Sequence, residues 1–210
     1  MNNPYRPLTL TTLVCLCTLT LPGCVRLKPV LDSSRHFTLS AVSPKLNPAD
    51  PPGPGPALGL RLITFPSHLE NPRLAQRKGD HEIHYLDSIL WAEPLDRGFL
   101  RVLGLNLTRS LRSEALFLEE WRRDDVDFEV CVDLVRFEPD DRGLVTLEAE
   151  WRIASPGQRG ILRTGSSRLQ KQGPPLSTDP SGAVAALSAV LGEFSRAVAE
   201  SLTALAAPGK

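Results

Sequence analysis

The feature that most constrains the fold is a long alternation of apolar and polar residues in the second half of the chain. In Val126–Phe137 the apolar side chains occupy every second position up to Leu134, and the same alternation returns in Val145–Ile153. A period of two is typical of a strand with one face buried and the other in water. Asp140–Gly143, between the two runs, has the composition of a tight reverse turn. We therefore predict an antiparallel hairpin here.

A third, weaker strand is predicted after the hairpin at Ile161–Lys171, because Ser155–Gly157 again has turn composition. The three strands would form an antiparallel meander. Further strands are predicted upstream at Leu58–Phe65, Glu82–Trp91 and, shorter, Ala115–Trp121. We expect the polar stretch 67–80 between the first two to be a loop.

Two helices are predicted to cover the sheet. The first opens at Pro94 and carries an apolar stripe at three- and four-residue spacing through Phe99 to Leu111. Asp179 caps the second, which has Pro180 in its first turn and runs to about Ala206. The sequence therefore predicts an α+β fold in two layers, with a mostly antiparallel sheet covered on one face by two helices.

The N-terminus carries a different signal. Leu8–Leu21 is an uncharged, largely apolar run of 14 residues that follows Arg6. A membrane-spanning helix needs about 20 residues, so this run is interpreted as part of a secretory signal peptide covering residues 1–23. It ends in Leu21-Pro22-Gly23-Cys24, which resembles the lipobox of bacterial lipoproteins.

The lipobox resemblance implies cleavage between Gly23 and Cys24 and acylation of Cys24, with palmitate among the expected acyl chains. The alternative is an ordinary signal peptide in which the cysteine is incidental. Residues 24–57 are then predicted as a lipid-anchored tether, with a short strand near Arg35–Ser40 and a proline-rich segment at Ser43–Pro56. Residues 58–207 are predicted as the folded domain.

Charge and cysteine content argue against several classes of function. The chain has 24 basic and 24 acidic residues, which gives no electrostatic case for binding nucleic acid. Removal of the signal peptide and acylation of Cys24 would leave Cys131 alone, so no internal disulfide is expected. We expect its pKa to be raised by neighbouring carboxylates, which disfavours a reactive thiolate.

No motif for catalysis, metal or cofactor binding stands out. His81 and His84 are three residues apart on a predicted strand, so they would point to opposite faces rather than share a metal ion. No nucleophile elbow and no phosphate-binding glycine loop is present. The sequence is therefore interpreted as non-enzymatic, without metal or cofactor.

One surface motif is a candidate for binding a partner. Trp121, Arg122 and Arg123 combine an aromatic anchor with two guanidinium groups, a combination common at protein interfaces. The alternative is a tryptophan at the end of a strand with two solvated arginines. Trp91 and Trp151 are assigned to the core.

Several segments resemble the PqiC-like lipoproteins, the ABC-type transport auxiliary lipoprotein family. The most specific is Leu90-Trp91-Ala92-Glu93-Pro94-Leu95. The others are Arg35–Leu39, Leu60–Pro66 followed by Leu69–Pro72, and Phe137 with Leu147–Trp151. The chain departs from the family pattern at His36, which replaces the usual aromatic residue, and in its long proline-rich insert.

The resemblance implies a non-catalytic adaptor that faces the periplasm. It implies an MCE-domain protein and an ABC permease and ATPase as partners, in a system that moves lipids between membranes. Val25 follows Cys24 where an aspartate would retain the protein at the inner membrane, so the outer membrane is expected. A lipid carrier with an acyl-sized cavity is the main alternative, and a hydrolase is a third. Self-association is left open.

Overall fold

The structure is a computed structural model, and it describes residues 33–42, 55–156 and 160–206. These residues form eight strands, two α-helices and two single 3-10 turns. The elements are β1 (Arg35–Phe37), β2 (Leu58–Thr64), β3 (Arg73–Lys78), β4 (Glu82–Trp91), α1 (Leu95–Leu111), β5 (Leu116–Leu118), β6 (Phe128–Pro139), β7 (Leu144–Ala154), β8 (Ile161–Gln172) and α2 (Pro180–Ala206).

The strands divide into two mixed sheets. The larger has the order β5-β2-β6-β7-β8, and β6, β7 and β8 form the antiparallel meander that the alternation predicts. β2 lies parallel to both β5 and β6, because the chain makes a long excursion through α1 before it returns to the sheet. The smaller sheet has the order β1-β4-β3. The predicted α+β class is confirmed, with the strands shared between two sheets.

The polar stretch 67–80 is not the loop that we expect from its composition. It contains a 3-10 turn at Ser67–Leu69 and the strand β3, which pairs antiparallel with β4. Leu74, Ala75 and Gln76 are all buried in this strand. The prediction was wrong because a short strand at a sheet edge has too few apolar residues to show a period.

The core lies between the larger sheet and the two helices. The alternating side chains of β6 and β7 face the helices as predicted, and Trp151 is 8 % exposed. Three phenylalanines from different elements meet in this layer: the rings of Phe99 and Phe137 lie 5.3 Å apart edge to face, and Phe194 lies 6.4 Å from Phe99. Burying one such side chain contributes roughly 1.5–3 kcal/mol.

The helix α2 is long and apolar enough to span a bilayer by length and composition, but 67 % of the relevant window is buried inside the domain. The helix α2 is therefore a core helix of the domain. Its first residue is Pro180, as the sequence predicts, while α1 begins one residue after Pro94, which is its N-cap.

The short strand predicted near residue 35 is present as β1, which pairs in parallel with the end of β4. The chain then continues onto the helices, and Leu39 is only 2 % exposed. Residues 35–42 are thus part of the folded domain. The proline-rich positions 43–54 and the N-terminal positions 1–32 lie outside the described residues.

Candidate functional site

In the part of the chain that the structure describes, one face of the larger sheet carries no helix, and we call it the open face. It presents the side chains of β2, β6, β7 and β8 that alternate with the core residues. They are Arg61, Glu129, Cys131, Asp133, Glu148, Glu150, Arg152, Thr164, Ser166 and Arg168. Ion pairs join neighbouring strands, with Arg152 Nη1 at 3.3 Å from Asp133 Oδ2 and Arg168 Nε at 2.8 Å from Glu148 Oε1. The mixed charges make this face a polar surface rather than a catalytic cleft.

Trp121 lies on the open face at its β2 end. A Cβ added to Gly59 would stand 2.7 Å from the indole ring, so the ring lies directly on the glycine. The guanidinium carbon of Arg61 is 4.6 Å from the ring centroid, within cation–π range. The indole Nε1 donates to Glu129 Oε1 at 2.8 Å. Trp121 is therefore packed and hydrogen-bonded, with part of its surface still in contact with solvent.

Unlike Trp121, which is partly buried, the next two residues, Arg122 and Arg123, are exposed to solvent. The backbone N–H of Arg122 donates to Asp125 Oδ2 at 2.8 Å, and Arg123 Nε donates to the carbonyl of Pro156. The structure thus keeps all three predicted residues together at one corner of the open face, where the indole is fixed and the guanidinium groups remain accessible.

Cys131 also lies on the open face, half-buried between Arg61 and Arg152. Burial is the main cause that raises the pKa of its thiol, the two arginines oppose it, and Glu129 adds a smaller upward effect. The direction agrees with the sequence-based expectation, but the main cause is desolvation rather than neighbouring carboxylates. The thiol is therefore a poor nucleophile at neutral pH.

A depression of about 420 Å³ occupies the β7–β8 part of the open face. Asp133, Glu150, Arg152 and Ser166 give it a polar lining, and Ile161 at its margin is 60 % exposed. A second depression of about 350 Å³ lies at the other end of β6, among three arginines and three aspartates. Both are lined largely by polar and charged side chains, unlike the mostly apolar pockets that bind small molecules.

A third depression, of about 330 Å³, is more apolar and lies beside the end of β2. Leu62, Phe65 and Leu100 line it, with Arg97 and Glu119 at the rim. Its lining residues belong to the end of β2, the segment after it, the first part of α1 and Glu119. The three phenylalanine rings described above lie in the layer between the sheet and the helices.

The structure reveals a histidine–carboxylate pair that the sequence does not show. His68 Nε2 lies 3.4 Å from Glu138 Oε2, and the Glu138 side chain is only 1 % exposed. Arg77 Nε donates to Glu138 Oε1 at 2.7 Å, and Arg136 Nε lies 3.1 Å from the same oxygen without hydrogen-bond geometry. Arg77 belongs to β3 and Glu138 to β6, so this cluster ties the smaller sheet to the end of β6. Neither His68 nor Glu138 lines the three depressions.

The sequence predicts no metal site and a lipidation site at Cys24. Among the residues that the structure describes, no group of three or more His, Cys, Asp or Glu side chains could hold a metal ion. Gly23 and Cys24 lie outside the described ranges, so cleavage and lipidation remain predictions.

Glu93, from the Trp-Ala-Glu-Pro segment, is a residue whose contacts the sequence could not reveal. It accepts a hydrogen bond from Thr38 Oγ1 at 2.8 Å and one from Arg101. The hydrogen bond from Arg101 is the largest of the effects that lower its pKa. Thr38 is 55 residues away in the chain, so only the tertiary structure brings them together.

Solved structures with this fold are known. A protein from Xanthomonas campestris matches with a TM-score of 0.64 and 19 % identity, covering 81 % of this chain and 95 % of that chain. An uncharacterized protein matches with a TM-score of 0.61 and 18 % identity, covering 80 % and 98 % respectively. The PelC dodecamer from Paraburkholderia phytofirmans matches with a TM-score of 0.41 and 7 % identity over 75 % of this chain and 90 % of that chain. No curated protein sequence matches the chain.

At the sequence level, the family model of the ABC-type transport auxiliary lipoprotein component matches residues 37–199. The match begins at the last residue of β1 and ends in the last third of α2, so it includes both sheets and both helices. With a match over most of its length and a fold shared with solved structures, the chain belongs to the family of ABC-type transport auxiliary lipoprotein components.

Proposed function

We propose that this protein is a non-catalytic, lipid-anchored adaptor in an MCE/ABC-type intermembrane lipid transport system. In this proposal it is attached to the outer membrane, faces the periplasm, and docks the assembly formed by an MCE-domain protein and an ABC permease and ATPase. The observation that carries the proposal is the family match over residues 37–199. The polar open face supports it, since an adaptor needs a surface for partners rather than a reaction site.

The membrane attachment in this proposal depends on Cys24. The Leu-Pro-Gly-Cys segment that ends at Cys24 supports cleavage after Gly23 and acylation of the cysteine. Acyl chains contribute about 0.8 kcal/mol per buried CH₂, so two or three chains hold a protein on a membrane essentially irreversibly. Val25 in the following position supports transfer to the outer membrane.

The corner of the open face around Trp121 is the part that we propose contacts the partner protein. Arg122 and Arg123 are exposed there, while the indole is fixed on Gly59 by its packing. A rigid aromatic group beside accessible guanidinium groups has the composition of a binding hot spot. The partner surface would accordingly carry carboxylates.

The test of the proposal is crosslinking in cells. A photo-reactive amino acid at Arg122 should capture an MCE-domain protein, and the same group at Arg196, an exposed residue of α2, should capture much less. Arg122→Glu with Arg123→Glu should reduce capture at other positions of the open face. Specific capture of unrelated proteins, or of none, would contradict the adaptor function.

The second candidate function is a lipid carrier. The apolar depression beside Leu62, Phe65 and Leu100 is the observation that favours it, because its volume of about 330 Å³ falls at the lower end of small-molecule sites. Phospholipid that co-purifies with the protein and is lost in Leu100→Trp would support the carrier. Protein free of lipid that still binds its partner would support the adaptor.

Self-association is a further expectation of the adaptor proposal. Within the described ranges, β8 pairs with β7 on one side and has no strand on its other side. Such an edge strand can pair with another chain unless charged residues prevent it, and β8 carries Arg163, Arg168 and Lys171. Measurement of the mass of the full chain in detergent decides between a monomer and an oligomer.

A further inference from the structure

The depression of about 350 Å³ at the end of β6 is lined by residues of both sheets, and we call it the arginine–aspartate depression. Arg77 comes from β3 of the smaller sheet, and Arg136 comes from β6 of the larger one. An isolated parallel bridge between Arg77 and Asp140 joins the sheets at this point. The charged residues of the lining are Arg77, Arg136, Arg142, Asp80, Asp140 and Asp141. Positive and negative side chains are therefore equal in number in the lining.

The two least exposed arginines of the lining share one carboxylate. Arg77 Nε donates to Glu138 Oε1 at 2.7 Å, and Arg136 Nε lies 3.1 Å from the same oxygen. Arg136 Nε is buried and has no partner in hydrogen-bond geometry in the described part of the chain. Two guanidinium groups thus meet a single carboxylate, which leaves one positive charge uncompensated. Because the two arginines repel each other, an anionic group of a ligand would stabilise them.

The negative charge of the lining lies nearer to solvent. Asp80 and Asp141 are both exposed, and within the described ranges no side-chain hydrogen bond or ion pair occupies their carboxylates. Asp140 Oδ1 accepts from the backbone N–H groups of Arg142 and Leu144 at 2.9 and 2.8 Å. These bonds fix the turn that carries Asp141. A simple anion would be repelled by the exposed carboxylates, so a ligand that fits this lining carries a positive charge as well.

We propose that the arginine–aspartate depression binds a zwitterionic phosphate ester, the phosphoethanolamine headgroup of a phospholipid. The phosphate contacts Arg77, Arg136 and Arg142, since guanidinium groups bind phosphate oxygens with paired hydrogen bonds. The ammonium group donates to the carboxylates of Asp80 and Asp141, as a lysine ammonium does. A volume of about 350 Å³ is at the lower end of small-molecule sites and suits a headgroup rather than a whole lipid.

The ammonium group makes the site selective among headgroups. Phosphocholine carries the same charges but has no N–H to donate, and phosphoglycerol has no positive charge at all. The depression should therefore prefer phosphoethanolamine over both. The choice of a phospholipid as the source of this group rests on the proposed function in lipid transport. A soluble phosphoethanolamine ester has the same chemistry and is distinguished from the lipid by experiment.

The first experiment measures headgroup binding by NMR titration of the full chain in a non-ionic detergent. The probes are glycerophosphoethanolamine, glycerophosphocholine, glycerophosphoglycerol and inorganic phosphate. Glycerophosphoethanolamine should bind about tenfold more tightly than each of the other three, because only its ammonium group both balances and hydrogen-bonds the carboxylates. Equal affinity for all the probes, tighter binding of inorganic phosphate, or no binding of any probe would overturn the proposal.

Exposed residues of the lining provide the variants, because their replacement should leave the fold intact. Asp80→Asn combined with Asp141→Asn should abolish the preference, so that glycerophosphoglycerol binds as tightly as glycerophosphoethanolamine. Arg142→Gln should weaken the binding of all three esters by about tenfold. Arg163→Gln, at an exposed position of β8 outside the depression, is the matched control and should bind as the wild type does. Unchanged binding in the aspartate and Arg142 variants, with unchanged far-UV spectra, would place the ligand elsewhere and refute the site.

The second experiment distinguishes the lipid from a soluble ester. The full chain is reconstituted in vesicles of phosphatidylglycerol with either phosphatidylethanolamine or phosphatidylcholine. Hydrogen exchange of the backbone amides in residues 140–144 should be slower with phosphatidylethanolamine, and Asp80→Asn with Asp141→Asn should remove the difference. Equal exchange in both vesicles would refute the lipid as the source, even where the soluble ester binds. Failure of both experiments would refute the headgroup site and leave the crosslinking test of the adaptor function unaffected.

Discussion

Trp151 and Gly165 form a pair whose mutual dependence can be worked out from the structure. They are directly opposite on β7 and β8. A Cβ added to Gly165 would lie 2.3 Å from Cζ2 of the indole, and Trp151 Nε1 donates to Ser167 Oγ at 3.1 Å. Glycine normally weakens a strand. Here it is required, because the ring covers its Cα.

We expect Trp151→Ala to cost about 3–5 kcal/mol, the usual range for removing a buried tryptophan. For a domain of this size that lowers the melting temperature by about 6–20 °C. Gly165→Ala alone should cost about 1–3 kcal/mol, because the ring has to move. In the Trp151→Ala background, Gly165→Ala should stabilise the protein by about 0.5–1 kcal/mol. Alanine then no longer clashes with the indole, and it has less conformational entropy than glycine in the unfolded chain.

The assay is urea unfolding of the four variants followed by far-UV circular dichroism, with the coupling energy taken from the double-mutant cycle. The expected coupling is at least about 1.5 kcal/mol. If Gly165→Ala costs the same with and without the indole, the ring does not lie on this glycine. Val135→Ala, at an exposed position on β6, is the control and should change stability little.

Three more predictions follow from the contacts described above. Cys24→Ala should give unprocessed or soluble protein with an unchanged far-UV spectrum, and attachment that survives a carbonate wash would contradict lipidation. Glu138→Gln should destabilise the chain by about 2–4 kcal/mol and free the smaller sheet, since Arg77 and Arg136 lose their buried counter-charge, and hydrogen exchange in β3 should report this. Because the pKa of Glu93 is lowered below 4.5 in the folded state, its stabilising effect is complete above that value and disappears as the pH falls through the lower folded pKa. The stability difference between the wild type and Glu93→Gln should therefore shrink in acid, and a constant difference down to pH 2 would contradict this.

The meander could be predicted from the sequence because its signal is local. Successive side chains of β6 and β7 point alternately towards the helices and away from them, and the sequence shows this as an alternation of apolar and polar residues. The predicted ends of β2, β7 and β8 differ from the observed ends by at most one residue, and β6 starts and ends two residues later than predicted. The two short strands β1 and β5 each end three residues before their predicted ends. Glu82–Trp91 was predicted with the bounds that β4 has. The family could be recognised for the same reason, since its motifs are contiguous.

The contacts of the candidate site could not be predicted, because they join residues distant in the chain. The fixed position of Trp121 depends on Gly59, which has no side chain and therefore gives no sequence signal. A register shift between Leu134 and Arg136 puts Glu138 on the same face of the sheet as Asp133. Its side chain is nevertheless buried, because Arg77 of β3 and His68 contact its carboxylate at this end of the strand. The role of Glu93 likewise depends on Thr38 in a segment that composition assigns to a tether.

The sequence by itself determined the α+β class, the meander, the covering helices and the family, since each follows from a periodic pattern or a short motif. Only the tertiary structure decided that the strands form two sheets, that one sheet face stays open, and that residues 37–42 close across both helices. The physical reason is that the type of each element and its apolar face follow from the local order of apolar and polar residues, whereas pairing between distant strands does not. Which polar groups pair across the fold is set by where the chain returns in space.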